Sequence, residues 1–304
     1  MNNQELINQF LLFLKLEKAL AENTLLAYKR DIIKLDDFLI LEKKSLSLTD
    51  VTLDILEEFL AYIYDFGLNE KSQARIISGI KAFYKYLVIE NIIIENPAYL
   101  LESPKFLRKL PDTLTYEEIQ AILDNIDLSL PQGTRNKAII ETLYSCGLRV
   151  SELINLKLSN LFLDVDFIKV IGKGNKERLI PIGSIAIKHI NIYLKEIRKK
   201  QKEKKGEENY LFLNRRGGRL SRVMIFYIIK EATKNAKIDK EVSPHTFRHS
   251  FATHLIEGGA NLRAIQEMLG HSSITTTEVY THLNNDYLKT TINQFHPRYK
   301  KKIN

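Results

Sequence analysis

Over residues 2 to about 95 the apolar positions recur every three or four residues, the spacing of one face of a helix, in four or so successive stretches. Leu6, Ile7, Phe10, Leu11 and Leu14 form the first stripe. Asn23 or Thr24 is placed to cap a second helix carrying Leu25, Leu26, Tyr28, Ile32, Ile33, Leu35, Phe38 and Leu39. Thr49 or Asp50 opens a third with Leu53, Leu56, Phe59, Leu60 and Ile63, which Gly67 closes. The fourth runs from about Asn69 through Ile76, Ile77, Ile80, Phe83 and Tyr84 to Leu87. The alternation typical of strands is absent here, so this segment is expected to be all helical.

Helical periodicity then breaks at Pro97, Pro104 and Pro111, with Lys105, Arg108 and Lys109 among them. Prolines so spaced favour an extended connector, and the domain boundary is expected there. Thr115 to Glu118 reads as a capping box that opens a second domain. A helix beginning near Gly133 should stop at Gly147, with Ser151 capping the next and Glu152 in its first turn. Residues 166–171 and 177–182 are β-branched runs joined by Gly172-Lys173-Gly174-Asn175-Lys176, a hairpin signal. Ser184 to Lys205 reads as a helix with a solvated, mixed-charge end, Tyr210 to Leu213 as a short third strand, and Ser221 to about Lys237 as a helix. The fold class expected is mainly α in two domains, the second carrying a small three-stranded antiparallel sheet.

The most informative stretch is 243–280. Ser243 can cap a helix with Pro244 at its first position, where a missing N–H costs nothing. His245, Arg248 and His249 then share one face, while Phe247, Phe251, Leu255 and Ile256 should face a core. Gly258 and Gly259 stop that helix; Asn261 caps another with Leu262, Ile265, Met268 and Leu269 as its buried stripe, ending at Gly270. His271 follows that end, and Ser272 or Ser273 can cap a further helix that reaches toward Tyr280. Thr281 to Gln294 reads as one more amphipathic helix. An arginine, two histidines and a tyrosine on consecutive helices suit one small anion. They also suit phosphoryl transfer, in which the protein supplies position and positive charge. A phenol with a reference pKa of about 10 needs cations or a base beside it to attack near neutral pH.

Composition sharpens this picture. Forty-five Lys and Arg against 37 Asp and Glu leave a net charge of +8, and the pI is near 9.2, which favours a polyanionic partner, nucleic acid ahead of an anionic membrane surface. Lys29, Arg30, Lys34, Lys71, Arg75, Lys81 and Lys85 recur on the polar side of the first four helices. With 44% hydrophobic residues the chain is not disordered, and at 304 residues it can bury two cores. The lone Cys146 excludes an internal disulfide and a cysteine-based zinc site. Neither a membrane-length apolar run nor a signal peptide is legible, so a cytoplasmic protein is expected. A P-loop and an EF-hand are likewise absent from the sequence.

The segments H-T-F-R-H (245–249), L-G-H-S (269–272) and V-Y (279–280) resemble the box II signature of the tyrosine recombinase (phage integrase) family, and G-L-R-V-S-E-L (147–153) resembles its box I. Phe247 stands where the family usually has leucine. The resemblance implies Tyr280 as the nucleophile on a DNA phosphate, through an O-(3′-phospho-DNA)-tyrosine intermediate, with Arg149, Arg248, His245 and His271 lining the phosphate site. It also promotes Lys173, at the hairpin tip in K-G-N-K-E-R-L-I-P, to the lysine that protonates the leaving oxygen; Lys176 and Arg178 are its neighbouring rivals.

The same resemblance implies an N-terminal helical core-binding, SAM-like domain at residues 1–100 and a linker at 101–112. The α-rich catalytic domain with its small three-stranded sheet would follow at 113–298 and a tail at 299–304. No cofactor and no metal are implied. The implied partners are a double-stranded DNA recombination site and sister protomers in a homo- or hetero-tetramer, in which the C-terminal segment docks on the neighbour. A cell-division DNA translocase is admitted as an activator. The tail F-H-P-R, and no arm-binding domain ahead of residue 1, resemble the Xer branch, which resolves chromosome dimers at cell division. A phage or transposon integrase, a type IB topoisomerase and a non-enzymatic architectural DNA-binding protein stand as alternatives.

Overall fold

The structure is a computed structural model of the chain and describes residues 2–42, 46–104, 112–270 and 282–299. The chain divides into two compact units, Met1–Lys109 and Leu110–Asn304. Lys105, Arg108, Lys109 and Pro111 of the expected connector lie outside the described residues.

In the first unit, α2 (Glu22–Glu42) packs against α1 (Asn3–Leu16) and α4 (Glu70–Ile89), and α4 also meets α3 (Leu53–Asp65). Leu6, Ile7, Phe10, Ile32, Leu35, Leu39, Phe59, Ile76, Ile80 and Phe83 close its core, as the helical spacing predicts. Two start signals differ from expectation. α2 begins at Glu22, which puts Asn23 and Thr24 inside its first turn. α3 is capped by Thr52, because Ser47 to Asp50 close a turn of their own through an Asp50 N–H to Ser47 carbonyl bond of 3.0 Å. Arg75, counted above among the solvent-facing cations, reaches back from α4 to the fully buried Asp31 of α2. Gly79 makes room for that carboxylate, since a Cβ there would lie 3.0 Å from its Oδ2.

In the second unit α6 (Pro131–Cys146) runs through the middle, buried on every side from Ala138 to Cys146 and packed by α8 (Ser184–Glu196) and α10 (Pro244–Glu257). Its end is set by Gly147, left-handed at φ 57°, where a Cβ would come within 2.4 Å of the Phe251 ring of α10. Glycine is required there both for the backbone and for the close approach. α5 (Tyr116–Asp124) opens on the expected capping box, Thr115 with Glu118. The remaining helices are α7 (Val150–Ile154), α9 (Arg222–Asn235), α11 (Leu262–Leu269) and α12 (His282–Phe295).

The sheet is antiparallel in the order β1 (Leu161–Phe162), β2 (Phe167–Ile171), β3 (Glu177–Pro181), with Phe167 opposite Pro181 and Ile171 opposite Glu177. Its third strand is therefore β1 and not Tyr210 to Leu213. Leu211, Phe212 and Leu213 are buried one after another, so the segment plugs the core without a strand's alternation. Among the described residues it pairs only through the isolated bridges Lys157 to Tyr210 and Leu213 to Arg219.

α8 also stops earlier than its charged run suggests, at Glu196, followed by one 3-10 turn over Arg198–Lys200. Arg198 is drawn inside, where it donates to the carbonyls of Glu208 (2.8 Å) and Tyr210 (3.3 Å) and pairs with Glu203. That inward pull ends the helix. Ile256 and Leu262, expected in apolar stripes, are exposed; Ala264, Ile265, Met268 and Leu269 make the buried face of α11.

Beyond α12 the chain packs into this same unit. Arg298 pairs with the buried Glu141, and the Tyr299 hydroxyl donates to the Pro181 carbonyl at 3.2 Å and the Ser145 carbonyl at 3.3 Å, so Tyr299 belongs to the core and not to a tail. His296 is fully buried among Tyr144, Phe251 and Tyr299, its Nδ1 accepting from the Arg298 N–H. Burial first, then the nearby His254 and Arg298, push His296 down to about 3 from 6.5. Between those values the unfolded chain takes up the proton and the folded chain does not, so stability is full above about pH 6.5 and falls as pH drops toward 3. We expect this site to remove about 2 kcal/mol between pH 7 and pH 5, at about 1.4 kcal/mol per pH unit. Urea titrations at the two pH values check this: His296→Phe should flatten the acid limb by that amount, whatever it costs at pH 7.

Candidate active site

Two helix C-termini meet in the second unit, and each leaves backbone carbonyls without helical partners. Arginines fill those positions. Arg248, on the buried side of α10, donates Nη1 to the Gly147 carbonyl at the end of α6 (2.8 Å) and Nη2 to the Leu269 carbonyl at the end of α11 (2.6 Å). Arg149 precedes α7 as its cap, in extended backbone, and donates Nη2 to the Gly270 carbonyl at 3.3 Å. The negative ends of both helix dipoles thus help to hold the cations in place. Ser151, expected to cap α7, lies inside it.

Between the arginines sits Glu152, with a side chain only 1% exposed. Its Oε2 accepts the Arg149 backbone N–H at 2.8 Å and its Oε1 accepts Arg149 Nη1 at 3.0 Å. Arg178 of β3 bridges both oxygens, Nη1 to Oε1 at 2.8 Å and Nη2 to Oε2 at 3.0 Å, and Arg248 Nη1 stands 3.9 Å from Oε2. Burial alone would raise the Glu152 carboxyl, but the bonds and charge of Arg178, with those of Arg149, hold it below the usual carboxylate range. Burial and the neighbouring Arg149 bring Arg248 down to about 10, so it stays protonated near neutral pH. Three guanidinium cations face one carboxylate, which leaves a formal excess of two positive charges beside the 32% exposed Arg149 side chain. A centre of this kind suits a phosphate diester, whose non-bridging oxygens a guanidinium fork matches.

The remaining expected residues fall as follows. His245 is exposed on α10, one turn before Arg248, and His249 is exposed beside it. The Lys173 backbone lies in the turn between β2 and β3, where Gly174 (φ 72°) and Asn175 (φ 59°) are left-handed; its side chain lies outside what is described. His271, directly after Gly270, and Tyr280 lie outside the described residues. The rival assignment of Arg178 as a proton donor does not hold, because its side chain is 8% exposed and occupied by Glu152 and by the Met268 carbonyl (Nε, 2.9 Å). Its place was readable in one respect: Arg178 shares strand parity with the inward Ile180, although its partners were not. Among the described residues no group of three or more His, Cys, Asp or Glu is placed to hold a metal ion.

A helical unit joined to a unit with this arginine centre has the features of a class of protein that acts on phosphate diesters. Residues 112–286 match the Phage integrase family, and residues 7–91 match its N-terminal SAM-like domain. The chain belongs to the phage integrase family, and within it to the tyrosine recombinases of Xer type, which are DNA strand-exchange enzymes. It is 44% identical to the tyrosine recombinase XerD of Staphylococcus saprophyticus over 96% of this chain and 99% of that one. Identity to the XerD of Staphylococcus aureus is 43%, over 97% and 99%. Among solved structures, XerH bound to palindromic difH substrate in a post-cleavage complex shares 25% identity and a TM-score of 0.69, with 88% of this chain and 79% of that one covered.

Proposed function

We propose that the chain is a site-specific recombinase that cuts and rejoins DNA through a covalent tyrosine link. The Tyr280 oxygen attacks a scissile phosphorus and the bond from phosphorus to the 5′ oxygen breaks, leaving a 3′-phosphotyrosyl protein and a free 5′-hydroxyl. Lys173 gives the leaving oxygen its proton. Arg149 and Arg248 hold the non-bridging oxygens, His245 serves in proton transfer and charge stabilisation, and His271 donates a hydrogen bond. Attack by a 5′-hydroxyl from a second duplex reverses the chemistry and completes the exchange. The energy of the diester stays in the covalent link throughout, so no nucleotide is spent.

The observation that carries this reading is the meeting of Arg149 and Arg248, 99 residues apart in sequence, over one buried carboxylate with positive charge in excess. Exchange between two duplexes requires four cut strands, hence a tetramer on DNA, of this chain alone or with a sister recombinase. The likeness to XerD supports Xer-type site-specific recombination over a mobile-element integrase. The proposed role is resolution of chromosome dimers at cell division in the cytoplasm, with a cell-division DNA translocase as a candidate activator. No described helix is long and apolar enough to cross a membrane.

The test is cleavage of two synthetic substrates carrying the site recovered by covalent trapping on the protein's own genome. Lys173→Ala should cleave ordinary DNA about 10²-fold or more slowly than the parent. It should regain most of that rate when sulfur replaces the 5′ bridging oxygen, since a thiolate leaves with little need of a proton. Equal defects on both substrates remove Lys173 from the role, and Lys176→Ala is the matched control.

A further inference from the structure

Arg178 has no part in the chemistry above, yet its guanidinium touches α7 beside Arg149, the end of α11 and the turn that carries Lys173. Nη1 and Nη2 bridge Glu152, which in turn holds Arg149 by both its backbone and its side chain. Nε holds the Met268 carbonyl at the end of α11, three residues before His271. The glycines that precede Lys173 and His271 in the chain close over it. A Cβ on Gly172, before Lys173, would lie 3.4 Å from Nη1, and one on Gly270, before His271, would lie 3.1 Å from it.

We infer that Arg178 is a positioning residue that neutralises Glu152, so that Arg149 and Arg248 keep their charge for the DNA phosphate, and that fixes the spacing of the three loops around it. This rests on the recombinase reading given above. Without Arg178, Glu152 is a buried carboxylate whose nearest cations are Arg149 at 3.0 Å and Arg248 at 3.9 Å. A buried charge recruits whatever partner it can reach, so both arginines would be drawn toward the carboxylate and away from substrate. A shift of about 1 Å in such a group is enough to slow a reaction about 10²-fold. A buried ion pair held for stability alone behaves otherwise: an apolar and amide replacement of both members is often neutral, and nothing ties it to the chemical step.

The experiment measures single-turnover covalent complex formation, DNA affinity and thermal stability for Arg178→Met, Arg178→Lys, the double variant Glu152→Gln with Arg178→Met, and Arg149→Ala. We expect Arg178→Met to bind DNA within about threefold of the parent and to cleave about 10²-fold more slowly. Arg178→Lys, which keeps the charge but cannot bridge both oxygens and the Met268 carbonyl, should fall between. The double variant, freed of the uncompensated carboxylate, should recover about tenfold over Arg178→Met, a coupling within the range seen for contacting residues. If Arg178→Met does not fold, Arg178→Lys and the double variant carry the comparison. Cleavage by Arg178→Met within threefold of the parent overturns the inference, as does a double variant no faster than the single. If Arg149→Ala cleaves normally, the recombinase reading fails first. If Arg149→Ala is inactive and the Arg178 variants are not impaired, only the role of Arg178 is withdrawn.

Discussion

Tyr280→Phe should bind DNA as the parent does and form no covalent protein–DNA complex that survives denaturation. The change removes one oxygen and keeps the ring, so the side chain retains its shape and apolar bulk while the atom that would form the phosphotyrosyl bond is gone. The expected loss is complete, because a phenyl ring has no lone pair to offer phosphorus. Gel electrophoresis in denaturant on a nicked substrate, which traps the cleaved state by letting a short 5′-hydroxyl strand diffuse away, measures it directly. An adduct of undiminished yield in Tyr280→Phe would move the nucleophile elsewhere. Tyr287, half exposed on α12, would be examined next.

The arginine pair should show the second largest effect. Loss of one preorganised charge donor at a developing phosphorane costs about 10² to 10³ in rate. Loss of one phosphate contact among many weakens binding slightly and lowers the salt slope by about one. Arg149→Ala and Arg248→Ala should therefore bind nearly normally and cleave 10²- to 10³-fold more slowly, with the rate measured at saturating protein. The structure separates the two. Arg149 is about one-third exposed and its loss leaves Glu152 still bridged by Arg178, so stability should hold. Arg248 is 9% exposed and serves the Gly147 and Leu269 carbonyls, so its loss should also cost about 1–3 kcal/mol of stability for the orphaned acceptors. Lys105→Ala or Arg108→Ala in the connector should shift binding and spare the chemical step. Binding and cleavage lost in equal proportion by both arginine variants would favour an architectural DNA-binding protein.

The helices of both units were legible because each is written in a local code. Apolar spacing places Phe10, Phe59, Ile80 and Phe83 inside the first unit, and short-range chemistry marks the starts at Asn69, Thr115, Ser221, Ser243 and Asn261. The stops at Gly147 and Gly270 follow from the left-handed backbone that glycine adopts without strain. The β2–β3 hairpin followed from two β-branched runs around a glycine-bearing turn. The candidate residues were legible for another reason: Arg149, Lys173, His245, Arg248, His271 and Tyr280 sit in motifs that resemble one family's.

Pattern misled where a distant partner outweighed local preference. Lys-rich, mixed-sign residues after Glu196 look like a fraying helix, but Arg198 is captured by carbonyls 10 and 12 residues downstream. Tyr210 to Leu213 has strand composition, yet its consecutive side chains are all needed to fill the core. Asp31 and Arg75 sit on helices whose facing cannot be read from either one, so Arg75 looked like a free cation.

The sequence by itself determined the helical class, the break into two units near the prolines, the glycine-ended helices and the residue types suited to phosphate chemistry. Each depends on interactions within a few positions of the chain, where spacing and backbone preference suffice. Only the tertiary structure decided that Glu152 is shared by Arg149 and Arg178 with Arg248 close by, that Arg178 also holds the end of α11, and that His296 to Tyr299 close the core of the second unit. Apart from the local Arg149–Glu152 and His296–Arg298 bonds, those contacts join segments 26 to 118 residues apart. Their energies come from burial and charge at positions that share no period with one another, and no local pattern encodes which buried carboxylate an arginine will meet.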